Sequence, residues 1–264
     1  MKVNIDGDEL IYRAAFACQQ KRYKYRSVEA PEGGTAHVAE FRYKRDASAW
    51  LAEQSEEFIE TVEEVVEPVQ NALYSIKNTV RTILKETGAD DYCIYLGGKG
   101  NFRLRVFPEY KAGRPPKPVH YQACRDYLSY EFNTVVVDGI EADDALGIAQ
   151  GKDTIICSQD KDLDTVPGWH YNHVKNEFYF VEPNDAEHWF WVQMLVGDRV
   201  DNIQGLSGVG EATALKLLEP FGRDFIKIEG FVKSCYVVDL GDEDLSLFNM
   251  NLKLIRILQE EVDE

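Results

Sequence analysis

The stretch Thr134-Val135-Val136-Val137-Asp138-Gly139-Ile140-Glu141-Ala142-Asp143-Asp144-Ala145-Leu146-Gly147-Ile148-Ala149-Gln150 decides the fold. Thr134 to Val137 reads as a short buried strand, Asp138-Gly139-Ile140 as a turn, and Ala142 to Gln150 as a helix. Working outward, Tyr121 to Phe132 is a helical pattern before this strand, and Thr154 to Cys157 is another strand after it. Lys2 to Asp6 and Tyr92 to Leu96 complete the strands, with helical Leu10 to Gln20 following the first. This alternation predicts an α/β fold, a mostly parallel central sheet covered by helices on both faces. Phe58, Val62, Val65, Val69, Leu73, Ile76, Val80 and Ile83 keep a three-four spacing, which predicts one long helix kinked at Pro68. After about residue 183 the pattern is helical.

Acids recur at the C-terminal ends of these strands, the edge where open parallel sheets place their sites. Asp6 ends the first strand; Glu141, Asp143 and Asp144 follow the third; Asp160 and Asp162 follow the fourth; Asp198 and Asp201 come later, one helical turn apart. Asp8 suits the first helix's N-terminus instead. Eight converging carboxylates repel, since two charges ~4 Å apart cost about 4 kcal/mol at an effective dielectric of 20. Hard oxygen donors without His or Cys select magnesium or manganese. Two such ions about 3.5 to 4 Å apart suit phosphoryl chemistry.

The chain has 264 residues and a net charge of −17, which argues against a nucleic-acid ligand until the acids are located. Residues 46 to 67 hold Asp46, Glu53, Glu56, Glu57, Glu60, Glu63, Glu64 and Glu67 with no Lys or Arg. Setting these and the eight motif acids aside leaves 30 acids against 29 bases, a near-neutral remainder with room for basic patches. Five scattered cysteines without a CxxC exclude a disulfide framework or zinc knuckle and read as buried thiols. No apolar run is long enough to span a membrane, and the N-terminus lacks a signal-peptide pattern, so a cytoplasmic protein is expected, in the host cytoplasm if phage-encoded.

Two insertions interrupt the alternation. Residues 21 to 45 interleave bases and aromatics (Arg22 to Arg26; Phe41 to Arg45) around Pro31-Glu32-Gly33-Gly34, a hairpin whose plainer reading is a solvated ribbon and whose sharper one is a DNA contact. Residues 99 to 117 hold Lys99, Arg103, Arg105, Lys111, Arg114 and Lys117 against Glu109 alone. Further on, Gly205 to Gly210 before the amphipathic Ala212 to Glu219 looks like a helix-hairpin-helix, in which glycine amides approach a phosphate.

These pieces together resemble the flap endonuclease and 5′→3′ exonuclease family, a PIN-like fold, in particular the exonucleases of T-odd bacteriophages. The matching motifs are Ile5-Asp6-Gly7-Asp8, Asn101-Phe102-Arg103, Pro108-Glu109-Tyr110-Lys111-Ala112-Gly113-Arg114, Glu141-Ala142-Asp143-Asp144, Ser158-Gln159-Asp160-Lys161-Asp162, and Gly197-Asp198 through Gly210. The resemblance implies a first metal at Asp6, Glu141 and Asp143 with Asp144 nearby, and a second at Asp160, Asp162, Asp198 and Asp201. It also implies catalytic roles for Lys111 and Arg114, and DNA contacts from Arg103, Tyr110, Lys117, Gly208, Gly210 and Lys216. Two Mg2+ or Mn2+ ions and a K+ at the helix-hairpin-helix follow as cofactors. DNA, with an RNA/DNA hybrid as an extension, follows as partner. Gly98 stands where the family carries an acid, so one first-metal ligand is missing and Gly98→Asp is expected to restore it. The expected organisation is a catalytic domain over 1–195, with insertions at 21–45 and 99–117, and a helical region over 196–264. Two other readings stay open: a catalytically decayed DNA-binding protein of the same fold, and a haloacid-dehalogenase-type phosphatase with Asp6 as nucleophile.

Overall fold

Val3, Asn4, Ile5 and Asp6 are all buried, which requires that β1 (Lys2–Asp6) be covered on both faces. The computed structural model describes residues 1–28, 38–55 and 57–260. After β1 the chain runs through α1 (Gly7–Ala17), β2 (Gln19–Ser27), β3 (Val38–Phe41), α2 (Lys44–Ala52), β4 (Phe58–Val66), α3 (Val69–Thr87) and β5 (Asp91–Gly97). It continues through α4 (Arg103–Val106), α5 (Tyr121–Glu131), β6 (Thr134–Val137), α6 (Ala142–Ala149) and β7 (Thr154–Cys157). A 3₁₀ turn (Lys161–Thr165), β8 (Gly168–Asn172), β9 (Glu177–Val181), α7 (Pro183–Val196), α8 (Glu211–Leu218), α9 (Phe225–Leu240) and α10 (Ser246–Ile255) follow.

Contacts group these elements into two units, residues 1–10, 79–116 and 128–264 in the first and 11–78 and 117–127 in the second. The first holds a six-stranded sheet of order β6-β5-β1-β7-β8-β9, parallel except for β9. All four expected strands are present. The β8/β9 pair was not expected; in it Trp169 lies opposite Phe180 and Tyr171 opposite Phe178. The expected boundary between residues 195 and 196 lies inside this unit, where Phe190 and Leu195 of α7 share a core with Leu218, Val232 and Phe248 of α8, α9 and α10. No described helix is long and apolar enough to cross a membrane.

In the second unit β3, β2 and β4 form an antiparallel sheet. The helix expected over 58–83 is corrected here. Phe58–Val66 is a strand paired with β2 along its whole length, and only Val69–Thr87 is helical. Ile59, Thr61, Val62, Val65 and Val66 are β-branched and favour the pleat, β2 supplies the partner, and Pro68 separates strand from helix. The hairpin's arms do pair, Tyr23 opposite Phe41 and Arg26 opposite Val38, although the second arm ends at Phe41. Its turn at 31–34 lies outside the described residues. Trp50 of α2 packs on one sheet face against Tyr25, Phe41 and Phe58, at centroid separations of 5.9, 5.4 and 4.8 Å. The alternating bases are neutralised by strand neighbours, Arg22 by Glu40 at 3.2 Å and Lys24 by Glu63 at 2.7 Å, which favours the ribbon reading over a DNA contact.

The loop after α7 turns back tightly on itself. A Cβ at Gly205 would lie 2.0 Å from the Val196 carbonyl oxygen, and one at Gly197 would lie 2.3 Å from the Gly205 nitrogen. Gly205→Ala should therefore cost upwards of about 2 kcal/mol in urea unfolding, because backbone cannot yield as a side chain does. Gly151→Ala, with nothing within 4 Å of its added carbon, should change stability by under about 0.5 kcal/mol. Equal effects would contradict this account of the loop.

Candidate active site

Because the chain passes from β1 to β5 on one side and later to β7 on the other, the strand order reverses beside β1, where such sheets open a crevice at the strands' C-terminal ends. Asp6 sits there, 4% exposed, accepting hydrogen bonds from the Glu9 amide and the Ser158 hydroxyl, both at 3.0 Å. Burial, with the charges of Glu9 and Asp8, raises its pKa to about 7. Ser158 also accepts from the Asp160 amide, tying the turn after β7 to the end of β1.

Glu141, Asp143, Asp160, Asp162, Asp198 and Asp201 line a cavity of about 330 Å³. Burial raises the Asp143 pKa well above the usual carboxylate value, with Asp6, Asp160 and Glu141 repelling its charge and Lys111 opposing them. Asp162 is pushed to about 7 by burial and then by Asp160 and Asp198, and it accepts a hydrogen bond from Gln193 at 2.6 Å. Neither Ser158 nor Gln193 was assigned a role from sequence. Hydroxyls and amides lack the charge pattern that betrays a carboxylate.

Lys111 and Arg114 line the same cavity, paired directly with two of its acids. Lys111 adopts a left-handed backbone (φ 61°), with its amide on the Asp201 carbonyl at 3.0 Å and its ammonium on Glu141. Arg114 Nε donates to Asp201 at 2.8 Å. Such backbone strain clusters at functional sites.

Several expectations are corrected. Asp144 does not face the cavity; it is fully buried, and its oxygens accept from Arg103 Nη1 and Nη2 at 2.5 and 2.8 Å and from the Glu141 and Leu258 amides at 3.0 and 3.1 Å. Arg103 is 2% exposed in that pair and has no free face for DNA. Tyr110 is buried too, its hydroxyl 2.9 Å from Glu141 and 3.1 Å from Asp201, and it orders acids rather than presenting itself to a strand. Gly98 has no room for a side chain: an added Cβ would lie 2.1 Å from Asp138 Oδ1 and 2.6 Å from the Val137 carbonyl. Lys117 belongs to the other unit, its ammonium 4.0 Å from the Tyr121 ring centroid. Gly208, Gly210 and Lys216 are exposed at the start of and along α8, where Gly210 is the N-cap.

Residues 63–182 match the 5′-3′ exonuclease, N-terminal resolvase-like domain. Over that segment the chain resembles a 5′-3′ exonuclease N-terminal domain. It is 32% identical over 208 residues to the thermostable DNA polymerase I of Thermus caldophilus, covering 70% of this chain and 25% of that protein. DNA polymerase I of Caldicellulosiruptor bescii is 30% identical over 175 residues, covering 56% and 21%. The chain thus spans about a quarter of the length of these relatives. In fold it resembles a T5 5′-exonuclease mutant, with a TM-score of 0.57 and 18% identity over 96% of this chain and 86% of that one. A bacteriophage T5 flap endonuclease, solved as a pseudo-enzyme-product complex with DNA and metal ions, gives 0.58 and 19% over 96% and 88%. The fold class is accordingly the PIN-like α/β sheet of these nucleases.

The donors present fit a hard divalent cation, being all carboxylate oxygens, and burial first and neighbouring acids second raise the pKa values of Asp6, Asp143 and Asp162. Among the described residues, no three acids are arranged to hold an ion as placed, since Lys111 and Arg114 lie on Glu141 and Asp201. A carboxyl whose folded pKa of about 7 exceeds the usual 3.8 keeps a proton that the unfolded chain has lost, so stability falls as pH rises from about 4 to about 7. Without divalent ions, Asp143→Asn should melt above the unsubstituted protein at pH 8, by roughly 2 to 4 °C per kcal/mol relieved, with the gap closing towards pH 4 in calorimetry. A gap independent of pH would contradict the repulsion. Gly98→Asp should lose more than about 1 kcal/mol in urea unfolding, by overpacking, and leave the magnesium requirement where it was.

Proposed function

We propose that the chain is a divalent-metal-dependent 5′→3′ exonuclease and flap endonuclease, hydrolysing phosphodiester bonds in duplex, flap or RNA/DNA hybrid substrates. The observation that carries this is the cavity lined by carboxylates together with Lys111 and Arg114, which pair with Glu141 and Asp201. The exonuclease domain match and the metal- and DNA-bound T5 relatives support it. Asp6, Glu141 and Asp143 would hold one ion and Asp160, Asp162, Asp198 and Asp201 a second, Mg2+ or Mn2+ by donor hardness. Such a pair of ions supplies an activated water and a clamp on the phosphate.

Lys111 and Arg114 bind the phosphate whose charge grows during cleavage, reaching it by side-chain rotation from the carboxylates they now touch. The amides of Gly208 and Gly210 and the N-terminus of α8 hold duplex phosphates, with Lys216 a further anchor and K+ at the loop. The phosphatase reading fares worse, because Asp6 is buried with both oxygens hydrogen-bonded and is not presented as a nucleophile.

End-labelled duplex, flap and RNA/DNA substrates, incubated with and without Mg2+ or Mn2+, test the proposal. Cleavage is expected only with metal, and Asp143→Asn or Asp160→Asn should remove nearly all of it. Lys111→Ala and Arg114→Ala should each lower kcat about 100-fold or more, with a smaller change in duplex affinity. Metal-independent cleavage would sink the reading, and tight binding without turnover would show a decayed enzyme.

A further inference from the structure

Beyond α10 the chain runs extended from Arg256, and this strap touches α6, β7, the 3₁₀ turn and α7. Ile257 is 6% exposed and packs among Leu146 of α6, Ile156 of β7, and Leu163 and Val166 at the 3₁₀ turn. A Cβ at Gly147 would lie 2.3 Å from the Leu258 carbonyl, so the strap lies directly on α6. Gln259 donates to the Thr165 carbonyl at 3.2 Å. Arg256 stacks over Phe190 of α7, 3.7 Å from the ring centroid, and pairs with Glu187 at 3.1 Å.

The centre of this arrangement is the buried ion pair. Arg103 donates from Nε to the Leu254 carbonyl at 2.8 Å, from Nη2 to the Arg256 carbonyl at 2.9 Å, and from both Nη groups to Asp144. Asp144 in turn accepts the Leu258 amide from the strap and the Glu141 amide at the start of α6. All four acceptor positions of the carboxylate are filled. A buried pair satisfied this completely specifies geometry, whereas removing one partner strands the other's charge.

We propose that Arg103 and Asp144, with the end of α10 at Leu254 and the strap Arg256–Leu258 that they hold, are positioning residues that fix Glu141 and Asp143 for metal, and that Asp144 itself ligates no ion. Glu141 is set through its own backbone amide, and Asp143 is the residue before Asp144 on the same first turn of α6. Without this anchor, repulsion from Asp6 and Asp160 would push the start of α6 away from the other acids. The strap also spans α6 and the 3₁₀ turn, so it sets the spacing between the two groups of carboxylates.

The proposal rests on the metal-dependent reading above and is tested apart from it by Mn2+ binding to the full chain, followed by electron paramagnetic resonance. Cleavage kinetics are measured on the same samples, below the melting point of each variant. Asp143→Asn should lose one bound Mn2+. Asp144→Asn should keep the stoichiometry of the unsubstituted protein, bind Mn2+ 10- to 100-fold more weakly, and show a lower kcat with the KM for DNA unchanged. Leu258→Pro, which deletes one amide donor and no charge, should move affinity and kcat in the same direction by less, and serves if Asp144→Asn fails to fold. Loss of an ion in Asp144→Asn would overturn the proposal by making Asp144 a ligand. Unchanged affinity and kcat in both variants would overturn it by reducing the network to ordinary packing. Absence of Mn2+ binding in the unsubstituted protein would overturn the metal reading and this proposal together.

Discussion

Mutual repulsion of carboxylates at one edge of a parallel sheet is the constraint on which the rest of this structure depends. Each close pair costs about 4 kcal/mol at 4 Å and an effective dielectric of 20, and the fold answers in three ways. Asp6 is buried against a backbone amide and a hydroxyl. Glu141 and Asp201 are covered by Lys111 and Arg114. Asp144 is withdrawn from the cavity into the pair with Arg103. Among the described residues, Asp143, Asp160 and Asp162 have no ion pair as close as those of Glu141 and Asp201, and burial first, then the neighbouring acids, raises the pKa values of Asp143 and Asp162.

The scaffold is built around that site. The buried strands β1 and β7 fix the positions of Asp6 and of the turn after β7, and pairing with β5 holds the edge strand β6, whose Val135 and Val136 are exposed, and the turn after it. The loop carrying Lys111 is tied to the loop carrying Asp201 by a backbone hydrogen bond, which fixes the base beside the acids it pairs with. Gly197 and Gly205 let the chain after α7 fold back closely enough for Asp198 and Ile203 to exchange hydrogen bonds at 2.9 and 2.6 Å, which sets Asp198 facing the cavity. The strained backbone of Lys111 is held by its surroundings.

Strands β1, β5, β6 and β7, and the acids after β1, β6 and β7, were legible in sequence because both signals are local: short apolar runs for the strands, and an acid at or just after three of them. Phe58–Val66 was misread because Phe58, Val62 and Val65 fall at the helical three-four spacing on a largely exposed strand that carries no clear period-two alternation, and only the partner β2 decides. Asp144 and Arg103 carried the wrong roles for a related reason. A charge in a motif looks reactive, and nothing in the neighbouring letters shows that the chain end at Arg256 and Leu258 returns to bury it. Gly98 looked like a vacancy for an acid, whereas its environment is the backbone of β6 at Val137 and the Asp138 side chain. In each case the missing information was a long-range contact.

Locating bound ions tests the central claim most directly. Anomalous scattering from Mn2+ in crystals of the unsubstituted protein should place density between Asp143 and Asp160, with Asp6 and Glu141 on one side and Asp162 and Asp198 on the other, and with the Lys111 ammonium moved off Glu141. Asp144 should remain on Arg103. Crystals saturated with Mn2+ that show no density in the cavity, with Lys111 and Arg114 still on Glu141 and Asp201, would contradict the claim that a divalent cation relieves the repulsion there.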